Sequence, residues 1–160
     1  MKKNYKTMKT KCHVLTVTVL TLLVGMVALS SCEHYQEKQL RDTVSDFSTA
    51  YFNWQYHKAV RFCAPGSERW LAYMASQVTQ RDVDTLRALP EGASVRINSM
   101  RFYKGDSVAV ADVEARDFLE MDTIGKTGKW VEKARYLISA RLVRGVWKVW
   151  LSAPLRAEKD

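Results

Sequence analysis

Acid–base chemistry without a cofactor needs an ionisable group held in apolar surroundings and a hydroxyl, carboxyl or imidazole donor opposite it. Six residues have types that suit such work. Tyr51, Tyr56 and His57 surround a break between two helical stretches, and Asp112, Glu114 and Asp117 lie along one alternating strand. Tyr51 with Asp112 is the best-placed pair among them. Each also has a purely structural reading. Tyr51 continues an apolar helical stripe, and His57 sits beside Lys58 at a helix start, where it is solvated. Asp112, Glu114 and Arg116 can face a strand bearing Lys133, Arg135 and Arg141, where opposite-charge cross-strand pairs add about 0.2–1 kcal/mol each. No confident catalytic residue emerges. There is no His-x-x-His, Cys-x-x-Cys or calcium-loop spacing, and residues 125–129 lack the spacing and context of a phosphate loop. No metal and no cofactor are therefore expected.

A different chemistry is written at the N-terminus. Lys2, Lys3, Lys6, Lys9 and Lys11 precede an uncharged stretch from Val14 to Leu29, which is short for a transmembrane span and suits the apolar region of a signal peptide. It ends in Leu29-Ser30-Ser31-Cys32. This resembles the lipobox of bacterial lipoproteins, in which small residues precede a cysteine whose sulfur takes the lipid. The resemblance implies a signal peptide over 1–31 and a thioether-linked lipid on Cys32, with acyl chains such as palmitate. It also implies a tether over 32–39, a domain over 40–155 and a polar tail over 156–160. The rival reading is an uncleaved anchor helix, and Met8 is an alternative start. The expected place is the bacterial cell envelope, on its periplasmic side or outer surface, with the membrane as the first partner.

This leader changes how the bulk numbers read. The 160 residues carry 25 basic and 17 acidic side chains, a net charge of +8, yet five of the lysines lie in the leader, leaving 20 against 17. A net +3 is ordinary for a domain of this size, and nucleic acid is not an expected partner. Of three cysteines, Cys12 is in the leader and Cys32 would carry the lipid that the resemblance implies, leaving Cys63, which its neighbours Val60, Phe62 and Ala64 suit for burial.

The elements that must position these residues can be read from periodicity. Leu40, Val44, Phe47, Tyr51 and Trp54 recur at spacings of four and three and predict a helix with one aromatic-rich face. A polar break over 53–56 leads to a short helical piece over 57–63, stopped by Ala64-Pro65-Gly66. Ser67 is the expected N-cap of a third helix built on Trp70, Leu71, Met74 and Val78. A fourth, short helix uses Val83, Leu86 and Leu89. The period then changes to two. Strands are predicted over 94–103, 107–118, 130–143 and 146–152, with turns at Lys104-Gly105-Asp106 and Arg144-Gly145. The small face of the second strand, Ala109, Ala111 and Ala115, leaves room for Phe47, Tyr51 and Trp54. The fold class is α+β, with N-terminal helices packed on a curved antiparallel sheet of about four strands.

That order of parts resembles the nuclear transport factor 2-like superfamily, a cone-shaped α+β fold also called cystatin-like. Asn53-Trp54-Gln55-Tyr56-His57-Lys58-Ala59 is similar to its opening helical break, without the usual Gly-Asp. Arg144-Gly145-Val146-Trp147-Lys148-Val149 is similar to its last hairpin. The resemblance implies a small envelope lipoprotein whose domain binds or assembles without catalysis. The alternative it implies is a cofactor-independent isomerase, dehydratase or cyclase. A third class is an inhibitor-like protein that uses the sheet edge. An inward carboxylate within hydrogen-bond reach of a tyrosine favours the enzyme; an interior filled by aromatics favours the binder. Trp54, Tyr136, Trp147 and Trp150 are the candidate pocket or interface residues. Their excess over one helical layer suggests core together with a homodimer through the sheet, with an envelope protein or a small apolar ligand as further partners.

Overall fold

The computed structural model describes residues 35–103, 105, 107–121 and 126–158. The chain divides into two units, Met1–Lys38 and Gln39–Asp160; of the first only the helical residues 35–38 are described. The leader and Leu29, Ser30, Ser31 and Cys32 thus lie outside the described residues, as do Lys104, Asp106 and Gly125.

The second unit is α+β. Helix α1 is formed by the helical residues 35–52, and its part in this unit begins at Gln39. Leu40, Val44, Phe47 and Tyr51 are buried along one face, as their spacing predicts. Ser48 is fully buried beside them because its hydroxyl donates to the Val44 carbonyl at 2.6 Å, which satisfies its polar group inside the helix. After the break come α2 (Tyr56–Ala59) with a 3₁₀ turn (Val60–Phe62), α3 (Glu68–Ser76) and α4 (Gln80–Ala88). Ser67 does stand at the N-cap of α3, but its side chain caps nothing. The buried hydroxyl instead accepts the Leu151 N–H at 2.9 Å and serves the far end of the chain.

Four strands form one antiparallel sheet in sequence order: β1 (Ser94–Tyr103), β2 (Val108–Glu120), β3 (Lys129–Val143) and β4 (Val146–Val149). The turn between β3 and β4 puts Arg144 at φ 51° and Gly145 at φ 81°, the two positive angles that a tight two-residue hairpin requires. β4 ends three residues earlier than its alternation suggests. The Trp150 N–H still reaches the Ser139 carbonyl at 2.8 Å, but Leu151 turns away to Ser67. Along the free side of β4 the chain at Cys63 makes a parallel bridge to Val149, so this edge is covered. The other edge, β1, carries Arg96 and Arg101 and an irregularity between Ile97 and Ser99, features that discourage further strand pairing.

Ala109, Ala111, Val113 and Ala115 of β2 face the helices and are buried with Phe47, Tyr51, Ile138 and Ala140. At Asp117 the alternation breaks. Its φ of 53° leaves Arg116 and Asp117 both exposed and turns Phe118 and Leu119 both into buried positions. β3 changes phase opposite it, with Glu132 and Lys133 exposed between Val131 and Ala134, which pack on the core. The pairing register is unchanged across the break, from Arg116↔Lys133 to Phe118↔Val131.

Candidate functional site

The change of phase at Asp117 builds a place, among the described residues, where aromatic side chains converge around a space. Phe118, turned inward, packs edge-on to Phe52 at 5.1 Å and to Tyr136 at 6.1 Å. The positive φ of Trp54 (57°) ends α1, and its indole N–H donates to the Leu119 carbonyl at 2.7 Å. Tyr51 stacks on Phe47 and meets Phe52 and Tyr56 edge-on. Between these groups and Glu120 lies a cavity of about 60 Å³.

Its polar groups are three tyrosine hydroxyls and one carboxylate. The Tyr136 hydroxyl donates to Glu120 Oε1 at 3.3 Å, and Lys129 Nζ lies 3.3 Å from Glu120 Oε2. The Tyr51 hydroxyl accepts the Leu155 N–H at 3.3 Å. Burial raises the Tyr51 hydroxyl to about 12, against the lowering effect of that bond. Burial also raises Tyr56 and Tyr136, and the Glu120 charge adds to the rise at Tyr136. All three tyrosines stay neutral at physiological pH. They can donate hydrogen bonds to an oxygen, while Glu120 accepts.

Asp112 is absent from this group. It lies on the opposite, outer face of the sheet, because β2 sends Ala111 and Val113 inward and Asp112 outward. There Arg135 holds it at 2.6 Å and Asn98 donates at 3.3 Å, and these contacts keep its carboxyl below the ordinary range. The sheet thus separates Asp112 from Tyr51, and the structure does not bring that pair together. Glu114 is held by Arg116 at 2.7 Å, with Lys133 at 4.0 Å, and the Arg116 bond first of all lowers it. The contacts of Asp112 with Arg135 and of Glu114 with Lys133 are the cross-strand ion pairs that the alternation predicts; the Glu114–Arg116 pair within β2 is an addition. His57 is exposed and Asp117 faces water.

The aromatic candidates separate. Trp54 and Tyr136 line the cavity. Trp147 is in the core, edge-on to Phe102 at 5.9 Å. Trp150 lies on the outer face with the Arg141 guanidinium 3.7 Å above its ring. Glu120, the carboxylate that does reach a tyrosine, is not among the sequence candidates. It comes after the break at Asp117, past the last residue that simple alternation places.

A second hollow, of about 210 Å³, lies beside the first along Phe52, Phe118 and Leu119 and opens between Asn53, Glu91 and Asp117. Its wall is fixed by Asn53, whose amide exchanges two hydrogen bonds with the backbone of Ala93. Among the described residues no group of three His, Cys, Asp or Glu side chains is arranged to hold a metal, and no helix is long and apolar enough to cross a membrane.

No protein-family model matches the chain, and no curated protein does. Among solved structures it is similar to a protein from Xanthomonas campestris described as a calcium/calmodulin dependent protein kinase II association domain. The two are 19% identical over 64% of this chain and 74% of that one, with a TM-score of 0.38. At that level the likeness assigns neither family nor function, and the α+β architecture rests on the element order and strand pairing described above.

Proposed function

We propose that this chain is a membrane-anchored envelope lipoprotein whose folded unit is a small, non-catalytic binding or assembly domain of the nuclear transport factor 2-like kind. The observation that carries the reading is the filling of the interior by aromatic side chains. The two hollows described around them, about 60 and about 210 Å³, are both below the roughly 300–1,000 Å³ of pockets that enclose drug-sized molecules. Asp112 and Glu114 support the same reading, since both are engaged by arginines on the outer face. The anchoring half rests on Leu29-Ser30-Ser31-Cys32 after a basic and then apolar leader. Mass spectrometry of the protein extracted from membranes tests it: the expected N-terminal peptide begins at Cys32 and carries lipid. An unmodified peptide running intact through Ser31-Cys32 defeats the lipoprotein reading. Crosslinking in intact envelopes tests the second half, with partner crosslinks expected from the native chain and lost in Cys32→Ser.

A second reading is favoured by one contact, the Tyr136 hydroxyl on Glu120 at 3.3 Å. A neutral tyrosine beside a carboxylate is the minimum a cofactor-independent isomerase, dehydratase or cyclase needs. Under this reading the cavity widens around its substrate. Envelope crosslinks that survive unchanged in Tyr136→Phe and Glu120→Gln favour the binding domain.

A further inference from the structure

The net charge of the folded unit is concentrated on one surface. Residues 39–160 contain 19 basic and 15 acidic side chains, a net +4. On the outer face of the sheet, Arg96, Arg101, Arg116, Lys133, Arg135, Arg141 and Lys148 meet two acids, Asp112 and Glu114. This face therefore carries a net +5, more than the whole excess, and everything else in the unit sums to −1. The arrangement is costly in isolation. Arg116 and Lys133 stand directly opposite each other, a like-charge pairing that destabilises a sheet, with Glu114 shared between them. Between the cations, Leu137 and Val146 are exposed to 48% and 43%. Trp150 lies under Arg141.

We propose that this basic sheet face docks on the anionic headgroups of the membrane that holds the chain. The inference rests on the lipid-anchored reading of Cys32. Leu40, fully buried, is eight residues beyond that cysteine and the chain is helical from residue 35, so the link is shorter than the ~28 Å that eight extended residues span. Within that reach the field of an anionic surface selects the face that a short-tethered domain turns toward it. The interleaved apolar side chains and arginine stems then rest at the headgroup level. A second copy suits this face poorly, because a two-fold symmetric pairing through it sets +5 against +5.

The test uses the full chain, purified from membranes and reconstituted in two kinds of vesicle, phosphatidylcholine alone and phosphatidylcholine mixed with phosphatidylglycerol. A polarity-sensitive fluorophore is placed by Leu137→Cys on the face, or by Ala72→Cys on the exposed side of α3 as reference; labelling of the parent chain is the blank. The expected result is a blue shift at position 137 in the mixed vesicles only, abolished by high salt and by the double change Arg101→Glu with Lys133→Glu. Position 72 is expected not to respond. No shift at 137, or equal shifts at both positions, overturns the proposal. A shift in pure phosphatidylcholine that grows with protein density assigns the face to a second copy, and one that appears only when polyglutamate is added assigns it to an acidic polypeptide; either overturns it. Circular dichroism confirms that the double variant is folded. The mass of the N-terminal peptide separates the two readings. An intact Ser31-Cys32 with the expected shift rejects lipidation and leaves the docking face standing, held near the bilayer by the apolar leader.

Discussion

Asp82 joins the helical half of the fold to the sheet, and its removal has a definite expected cost. The side chain is fully buried at the first turn of α4. One oxygen accepts the Thr79 hydroxyl at 2.6 Å and the Thr79 N–H at 2.9 Å, while the Asp82 N–H donates back to Thr79 at 3.3 Å, completing a capping box. The other oxygen accepts the N–H of Gly128, just before β3, at 2.8 Å. In Asp82→Ala the cap loss costs about 1 kcal/mol. The orphaned Gly128 N–H, half-buried, adds roughly 1–3 kcal/mol. A total of about 3 kcal/mol corresponds to a fall in Tm on the order of 10 °C for a domain of this size. Urea denaturation monitored by circular dichroism measures it, with Thr79→Ala as the comparison that loses the cap alone, at about 1 kcal/mol. Burial pushes the Asp82 carboxyl up, but the Thr79 hydroxyl, the Gly128 N–H and the Thr79 N–H together hold it below its ordinary 3.8. A group depressed in the folded state contributes fully above its unfolded value and loses that contribution as pH falls through the folded one. The gap between the native chain and Asp82→Ala is therefore wide at neutral pH and narrows below about 3.8. A loss no larger than that of Thr79→Ala, or a gap independent of pH down to acid unfolding, refutes the assigned link to Gly128.

Two further outcomes are expected. Burial raises the Cys63 thiol to about 12, and its S–H points to the Ala59 carbonyl at 3.6 Å. The folded chain should leave this thiol unreacted with a disulfide reagent at pH 8 and react stoichiometrically in denaturant; rapid reaction in the folded state contradicts the packing around the β4 edge. At the last hairpin a Cβ on Gly145 would meet nothing within 4 Å, so Gly145→Ala isolates the backbone cost of the positive φ, about 1 kcal/mol. Arg144→Gly should shift Tm the opposite way by a smaller amount, and equal, unsigned effects of both changes rule out the turn geometry.

The periodic features are the ones legible in the residues alone. The stripe from Leu40 to Tyr51, the small inner face of β2, the tight Arg144-Gly145 turn and the outer ion pairs of Asp112 and Glu114 are all local patterns, repeated every three to four or every two residues. The α+β class comes from their order. Three decisions depend on chain segments far apart in sequence. Asp82 has the charge of a solvated residue, yet Gly128, 46 residues away, makes it a buried anchor. Ser67 has the type of an N-cap, and Leu151 takes its hydroxyl. Asp117 breaks the alternation of β2 and reverses which side chains face the helices, so Glu120 rather than Asp112 meets a tyrosine. Side-chain periodicity places a residue only while the backbone angles stay regular. One positive φ in a strand shifts the phase of the residues beyond it, and only the packed aromatics around Phe118 show where the new phase leads.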